Sequence, residues 1–123
     1  MPSNRPCKYA LVTAFLSLVA ASFPVYSAGF DCSKASHTDE TAVCTNRSLS
    51  EKDVQMTTTY NLLRELLLMG ARGALQDEQI QWLGKRRQCG ANITCLSQVY
   101  DNRNRELASE YSKAARLVNT TEP

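Results

Sequence analysis

Residues 95–118, CLSQVYDNRNRELASEYSKAARLV, decide the fold. Leu96, Val99, Tyr100, Arg103, Leu107, Tyr111, Ala114 and Val118 recur at three- and four-residue steps, the period of one helix face. The spacing predicts a long helix that starts between Asn92 and Cys95 and frays into Asn119–Pro123. The same period appears twice upstream. Leu75, Gln79, Trp82, Leu83, Arg86 and Cys89 mark a helix from about Leu75 to Arg87 or Gln88, with Gly90 as its stop. Val54, Thr57, Tyr60, Leu63 and Leu67, widened by Leu62, Leu66 and Met69, mark another. That helix opens at Ser50-Glu51-Lys52-Asp53, a variant capping box, and is broken by Gly70-Ala71-Arg72-Gly73. A short helix from near Thr38 to near Cys44 precedes it, followed by a turn at Asn46-Arg47-Ser48. No proline falls between Pro24 and Pro123, and no β-branched alternation marks a strand. The pattern predicts an all-α domain, a small helical hairpin or bundle with a disulfide-tied N-terminal arm.

Residues 1–27 read as an export signal and residues 28–123 as the helical domain. Arg5 and Lys8 form the charged end, Tyr9 to Phe23 the apolar run, and Val25-Tyr26-Ser27-Ala28 a small-residue exit. Cleavage after Ser27 puts Val25 and Ser27 where the peptidase takes small side chains, whereas cleavage after Ala28 would put bulky Tyr26 at one of them. The apolar run includes Thr13, Ser17 and Ser22 and falls short of the roughly 20 apolar residues a spanning helix needs. No stable membrane anchor is therefore expected after signal cleavage, and the location expected is periplasmic or secreted. Cys7 lies before the apolar run, so it is not a lipid-bearing cysteine at the signal's end. The chain carries 14 Lys and Arg against 12 Asp and Glu, and without Arg5 and Lys8 the balance is neutral. Nothing in the net charge points to nucleic acid as a partner.

Cys32, Cys44, Cys89 and Cys95 remain in the domain, where an oxidising compartment and a small core both favour disulfides. Four cysteines allow three pairings, and the sequence does not choose among them. Spacing favours Cys32 with Cys44 and Cys89 with Cys95, short loops of the kind that tie an arm to a helix and one helix to the next. A four-thiolate zinc site uses pairs two to four residues apart, which these cysteines lack. No metal or cofactor is expected.

These residues also carry a family resemblance. Phe30-Asp31-Cys32, Ala35, Glu40 and Cys44, then Leu49, Asp53 and Tyr60, then Gln79, Trp82-Leu83, Arg86 and Cys89, then Cys95-Leu96, Tyr100, Arg103 and Leu107 resemble the pattern of the bacterial lysozyme-inhibitor LprI family. The resemblance implies an exported helical protein with disulfides that binds and inhibits a lysozyme-type cell-wall hydrolase. It supplies no inhibitory motif that could be placed residue by residue. The rival reading is a non-catalytic envelope or stress-related module that binds another protein and no hydrolase.

Catalytic chemistry finds little support. His37 is the sole histidine and sits among Ser36, Thr38 and Asp39 at a helix start, where polar residues are expected. Asp39-Glu40 and Asp77-Glu78 are paired carboxylates, yet each pair opens an expected helix and complements its dipole. No catalytic residue is expected, and the chain reads as no enzyme. Arg86 and Arg103 fall on apolar helix faces and need partners, so a structural ion-pair network with Glu40 and Asp53 is expected. Lys85-Arg86-Arg87 is an ordinary solvated face once Arg86 turns inward. Trp82, Tyr60, Tyr100 and Tyr111 fit the core. If a protein partner such as a lysozyme is contacted, the polar arm from Ser33 to Glu40, with His37, Asp39 and Glu40, is the expected contact surface.

Overall fold

A computed structural model describes residues 28–120. The expected signal, residues 1–27, lies outside the described residues. A 3-10 turn, Cys32–Lys34, leads into four helices: α1 Thr38–Thr45, α2 Arg47–Leu66, α3 Met69–Gln88 and α4 Ile93–Thr120. Among the described residues there is no strand. The domain is all-α, and α2 against α4 is its most extensive contact. Helix α3 joins α4, and the short α1 bridges α2 and α3 at one end.

The buried residues of α4 are Leu96, Tyr100, Arg103, Asn104, Leu107 and Ala114, the face its period predicted except that Asn104 joins it and Val118, expected on it, is exposed. On α2 the buried residues are Leu49, Asp53, Met56 and Leu63, with Ser50 beside them in the first turn and Tyr60 and Leu67 packed against the stripe. This stripe steps by three and four residues along a line slightly rotated from the expected one. Val54 and Leu62 consequently face solvent, while Met56 enters the core. Trp82 of α3 packs edge-on against Tyr100 with ring centroids 5.1 Å apart, and its indole N–H donates to the Val99 carbonyl at 3.2 Å.

Two expected boundaries are corrected. Helix α2 starts at Arg47 because Asn46 is its N-cap, the side-chain oxygen accepting from the Leu49 N–H at 3.1 Å. Ser50 lies inside the first turn, buried, and its hydroxyl donates to the Val43 carbonyl of α1 at 2.6 Å. Its polarity serves the α1–α2 junction. The second boundary is the turn between α2 and α3, which falls at Leu67 and Leu68 rather than at the glycines. Arg72 donates to the Leu67 carbonyl at 3.1 Å across this turn, and Gly70 and Gly73 lie within α3, where an added Cβ would meet nothing within 4 Å. Asp77 and Glu78 are therefore mid-helix residues and do not complement an N-terminal dipole.

The disulfides are Cys32–Cys44 and Cys89–Cys95. The first holds the arm on α1. The second closes the α3–α4 turn, where Gly90 takes φ of 53°, a left-handed conformation that only glycine adopts cheaply. Asn92 completes this turn by accepting from the Cys95 N–H at 3.0 Å. Replacing either pair by serines is expected to lower stability by about 2 to 3 kcal/mol, from the entropy of closing loops this short. Urea unfolding of the oxidised proteins measures it, and a loss under about 0.5 kcal/mol would show that the crosslink contributes nothing beyond an ordinary surface change.

Candidate functional site

The polar chemistry of the domain concentrates where the arm meets all four helices. Helix α3 carries Arg86 inward, with 5% of the residue exposed. Its Nε donates to Asp39 Oδ2 of α1 at 2.8 Å. Its other nitrogens lie 3.8 Å from Glu40 Oε1 of α1 and 3.8 Å from Asp53 Oδ1 of α2. One of them also donates to the Tyr100 hydroxyl of α4 at 3.3 Å, and that hydroxyl donates to Asp53 Oδ1 at 2.6 Å. The rings of Phe30 and Trp82 lie 5.6 and 5.8 Å from the guanidinium.

Burial opposes the charge on Arg86, but Tyr100 and Asp39 outweigh it and hold the guanidinium above its ordinary pKa. Burial, aided by the neighbouring Asp53 charge, pushes the Tyr100 hydroxyl well above its ordinary range, so it remains a donor. Glu40 faces the arm. Its Oε2 accepts from the backbone N–H groups of Ser36 at 2.8 Å and His37 at 3.1 Å, and these two bonds hold its carboxyl below the ordinary value. Asp31, at the surface, is lowered by bonds from the Ser33 hydroxyl and backbone N–H.

The structure thus brings Glu40, Asp53 and Arg86 together, and it leaves Arg103 out. Arg103 lies one turn beyond Tyr100 on α4, and it binds Gln79 Oε1 of α3 through Nε at 3.2 Å and a terminal nitrogen at 3.1 Å. Glu106 and Glu78 stand 3.4 and 3.6 Å from it. The expected four-residue network is therefore two separate clusters, because one helical turn carries Arg103 past the reach of Asp53.

Asp39 requires the larger correction. It was expected at the contact surface, but 1% of it is exposed and it is the nearest partner of Arg86. A carboxylate in a first helical turn is explained by the dipole alone, which masks any deeper role. The missed signal is phase: Asp39, Ala42 and Val43 share the buried face of α1. His37 is exposed at the start of α1, and Glu40 is committed to backbone groups and to Arg86.

A cleft of about 480 Å³ opens over the cluster, with Phe30, Lys34, Tyr60 and Gln79 among its walls. Among the described residues no group of three or more His, Cys, Asp or Glu side chains is placed to hold a metal ion. Beneath the cleft Arg86 is paired with Asp39, Glu40 and Asp53, while the second oxygen of Asp39, Oδ1, is buried with no hydrogen-bond partner among the described residues.

The sequence profile described as lysozyme inhibitor LprI matches residues 32–107, from the first disulfide cysteine through both crosslinks to the last fully buried leucine of α4. The chain belongs to the LprI family. No curated protein and no solved structure matches it. Membership implies a lysozyme-inhibitor role and a protein partner such as lysozyme, an inhibitor's task rather than a catalyst's. Together with the two disulfides it suggests an extracytoplasmic LprI protein. Among the described residues no helix is long and apolar enough to cross a membrane.

Arg86→Ala is expected to destabilise this LprI domain by about 3 to 5 kcal/mol, because Asp39 and Asp53 would remain buried without their cation. Chemical denaturation checks it, and a loss below about 0.5 kcal/mol would rule out the structural role. Glu40 gives a pH signature. Its carboxyl is lowered in the folded state, so its contribution is complete above the ordinary value of 4.5 and disappears as pH falls through the folded-state value. Glu40→Gln should flatten the acid side of the stability profile, measured as melting temperature between about pH 5 and 2. A profile parallel to that of the parent would refute the assignment.

Proposed function

We propose that residues 28–123 are exported and, once oxidised, bind and inhibit a lysozyme-type cell-wall hydrolase. The observation that carries this reading is the LprI match over residues 32–107, which takes in both disulfides. Physical reasoning supports a steric mode of action. A lysozyme cleaves between two carboxyl groups in an open cleft, and a rigid protein that fills the cleft excludes substrate with no chemistry of its own. Rigidity matters because a segment already ordered loses little entropy on binding.

The arm fits that task better than any helix face whose apolar side is already in the core. It is pinned by Cys32–Cys44, by the Asp31 bonds to Ser33 and by the Glu40 bonds to Ser36 and His37. With Asp39 buried and Glu40 turned inward, the groups this arm presents are Lys34, 82% exposed at its side chain, the exposed Asp31 that stands 3.6 Å from it, and His37. The contact proposed has Lys34 exchange its exposed pairing with Asp31 for the carboxylates of the hydrolase cleft, and it is weakened by salt as exposed charge pairs are.

The test is turbidimetric lysis of cell walls by several lysozyme types with the purified, oxidised protein present. Slower lysis is expected with at least one type, and no effect on any of them would overturn the function. Lys34→Glu, with circular dichroism unchanged, is expected to weaken inhibition about tenfold or more, the effect of placing a like charge at a close contact. Unchanged inhibition by that variant would overturn the arm as contact surface and leave the function standing.

A further inference from the structure

The first described residues are fitted into the charge cluster. The Gly29 N–H donates to Asp53 Oδ2 at 2.7 Å, a bond between residues 24 apart. A Cβ on Gly29 would stand 2.3 Å from Thr57 Oγ1 and 2.7 Å from Thr57 Cβ, so only glycine permits this approach to α2. Ala28 and Phe30, on either side, are half-buried against the core.

The cluster itself is short of positive charge. Asp39 and Asp53 are each 1% exposed and Glu40 is 20% exposed at its side chain, and all three turn to the single guanidinium of Arg86. Lys34 stands at the rim of the same cleft, but it is largely in water and 3.6 Å from Asp31. Buried carboxylates in excess of their cations are costly.

A source of positive charge lies one residue upstream of Gly29. Hydrolysis of the Ser27–Ala28 peptide bond by a signal peptidase consumes one water, leaves a carboxylate on Ser27, and leaves an amine on Ala28 that takes up a proton near neutral pH. One residue spans at most about 3.6 Å, so this ammonium lies within about 6 Å of Asp53 Oδ2. We propose that the α-ammonium of Ala28 is the second cation of the buried network, seated beside Asp53, so that removal of residues 1–27 completes the fold. The proposal rests on the export reading above. It makes signal cleavage a structural event: the uncleaved chain has a neutral amide at this position and keeps the carboxylate excess.

The ionisable groups of the cluster and its cleft are Asp31 and Lys34 of the arm, Asp39 and Glu40 of α1, Asp53 of α2, Arg86 of α3 and Tyr100 of α4, with carboxylates in the majority, and Asp53 is the one tied to the residue next to Ala28. An amine in that setting titrates above the ordinary range of about 7.7 to 8.0. The experiment expresses the whole precursor in a bacterium, measures the intact mass of the exported product, and follows acetylation of its α-amine against pH. The expected product begins at Ala28, with the amine titrating about one unit or more above its ordinary range. Two glycines inserted between Ala28 and Gly29 preserve the cleavage site and carry the ammonium outward by about 7 Å. That insertion should return the amine to its ordinary range and lower the melting temperature, and Asp53→Asn should also remove the shift. A product that retains residues 1–27 overturns the export reading and the proposal together. Cleavage before Ala28 with an unshifted amine overturns the proposal alone, as does a shift that survives the insertion.

Discussion

One buried guanidinium sets the terms for the rest of this domain. Arg86 is held out of water, so it must find counter-charge and hydrogen-bond acceptors inside the protein, and it draws them from every helix. Asp39 fixes α1 to α3, Asp53 brings in α2, and Tyr100 links the guanidinium to Asp53 from α4. An apolar plug of similar volume could match such a cluster in stability. Directional bonds add register: each helix meets the others at one turn, and sliding α1 by a single turn would strand Asp39 and leave Arg86 exposed to loss of its nearest partner.

This constraint also shapes what the surface can offer. The carboxylates nearest the arm are consumed internally, Asp39 by Arg86 and Glu40 by two backbone N–H groups and Arg86. The arm is left pinned and polar, with the exposed pair of Lys34 and Asp31 at its outer face. The network that orders the loop is thereby shielded from the solvent and salt that reach its exposed groups.

The helices were legible in the sequence wherever apolar residues kept the helical period, as they do from Leu96 to Ala114. Arg86 on an apolar face could be read as buried for the same reason. Other features depended on relations that periodicity does not encode. Which carboxylates Arg103 reaches depends on the axial shift between α3 and α4, and that shift sets it against Gln79. Gly70 and Gly73 are poor helix formers, yet packing of the following turns carries α3 through both. Asn46 has the same side-chain preference for turns as for N-caps, and only the bond to Leu49 N–H distinguishes the two. Asp39 had a sufficient local explanation, and that concealed its role in the interior.

The disulfide topology has a bearing on how such a chain matures. The partners are 12 and 6 residues apart, and the two loops follow one another without crossing. Each crosslink therefore joins two of the domain's cysteines that are consecutive in the chain. If the chain is exported from its N-terminus as proposed above, an oxidant acting in order of emergence would meet Cys32 and Cys44 before Cys89, and Cys89 and Cys95 after them, an order that matches the native pairs. On that route chain order itself would disfavour wrong pairs, which a crossed topology would not do.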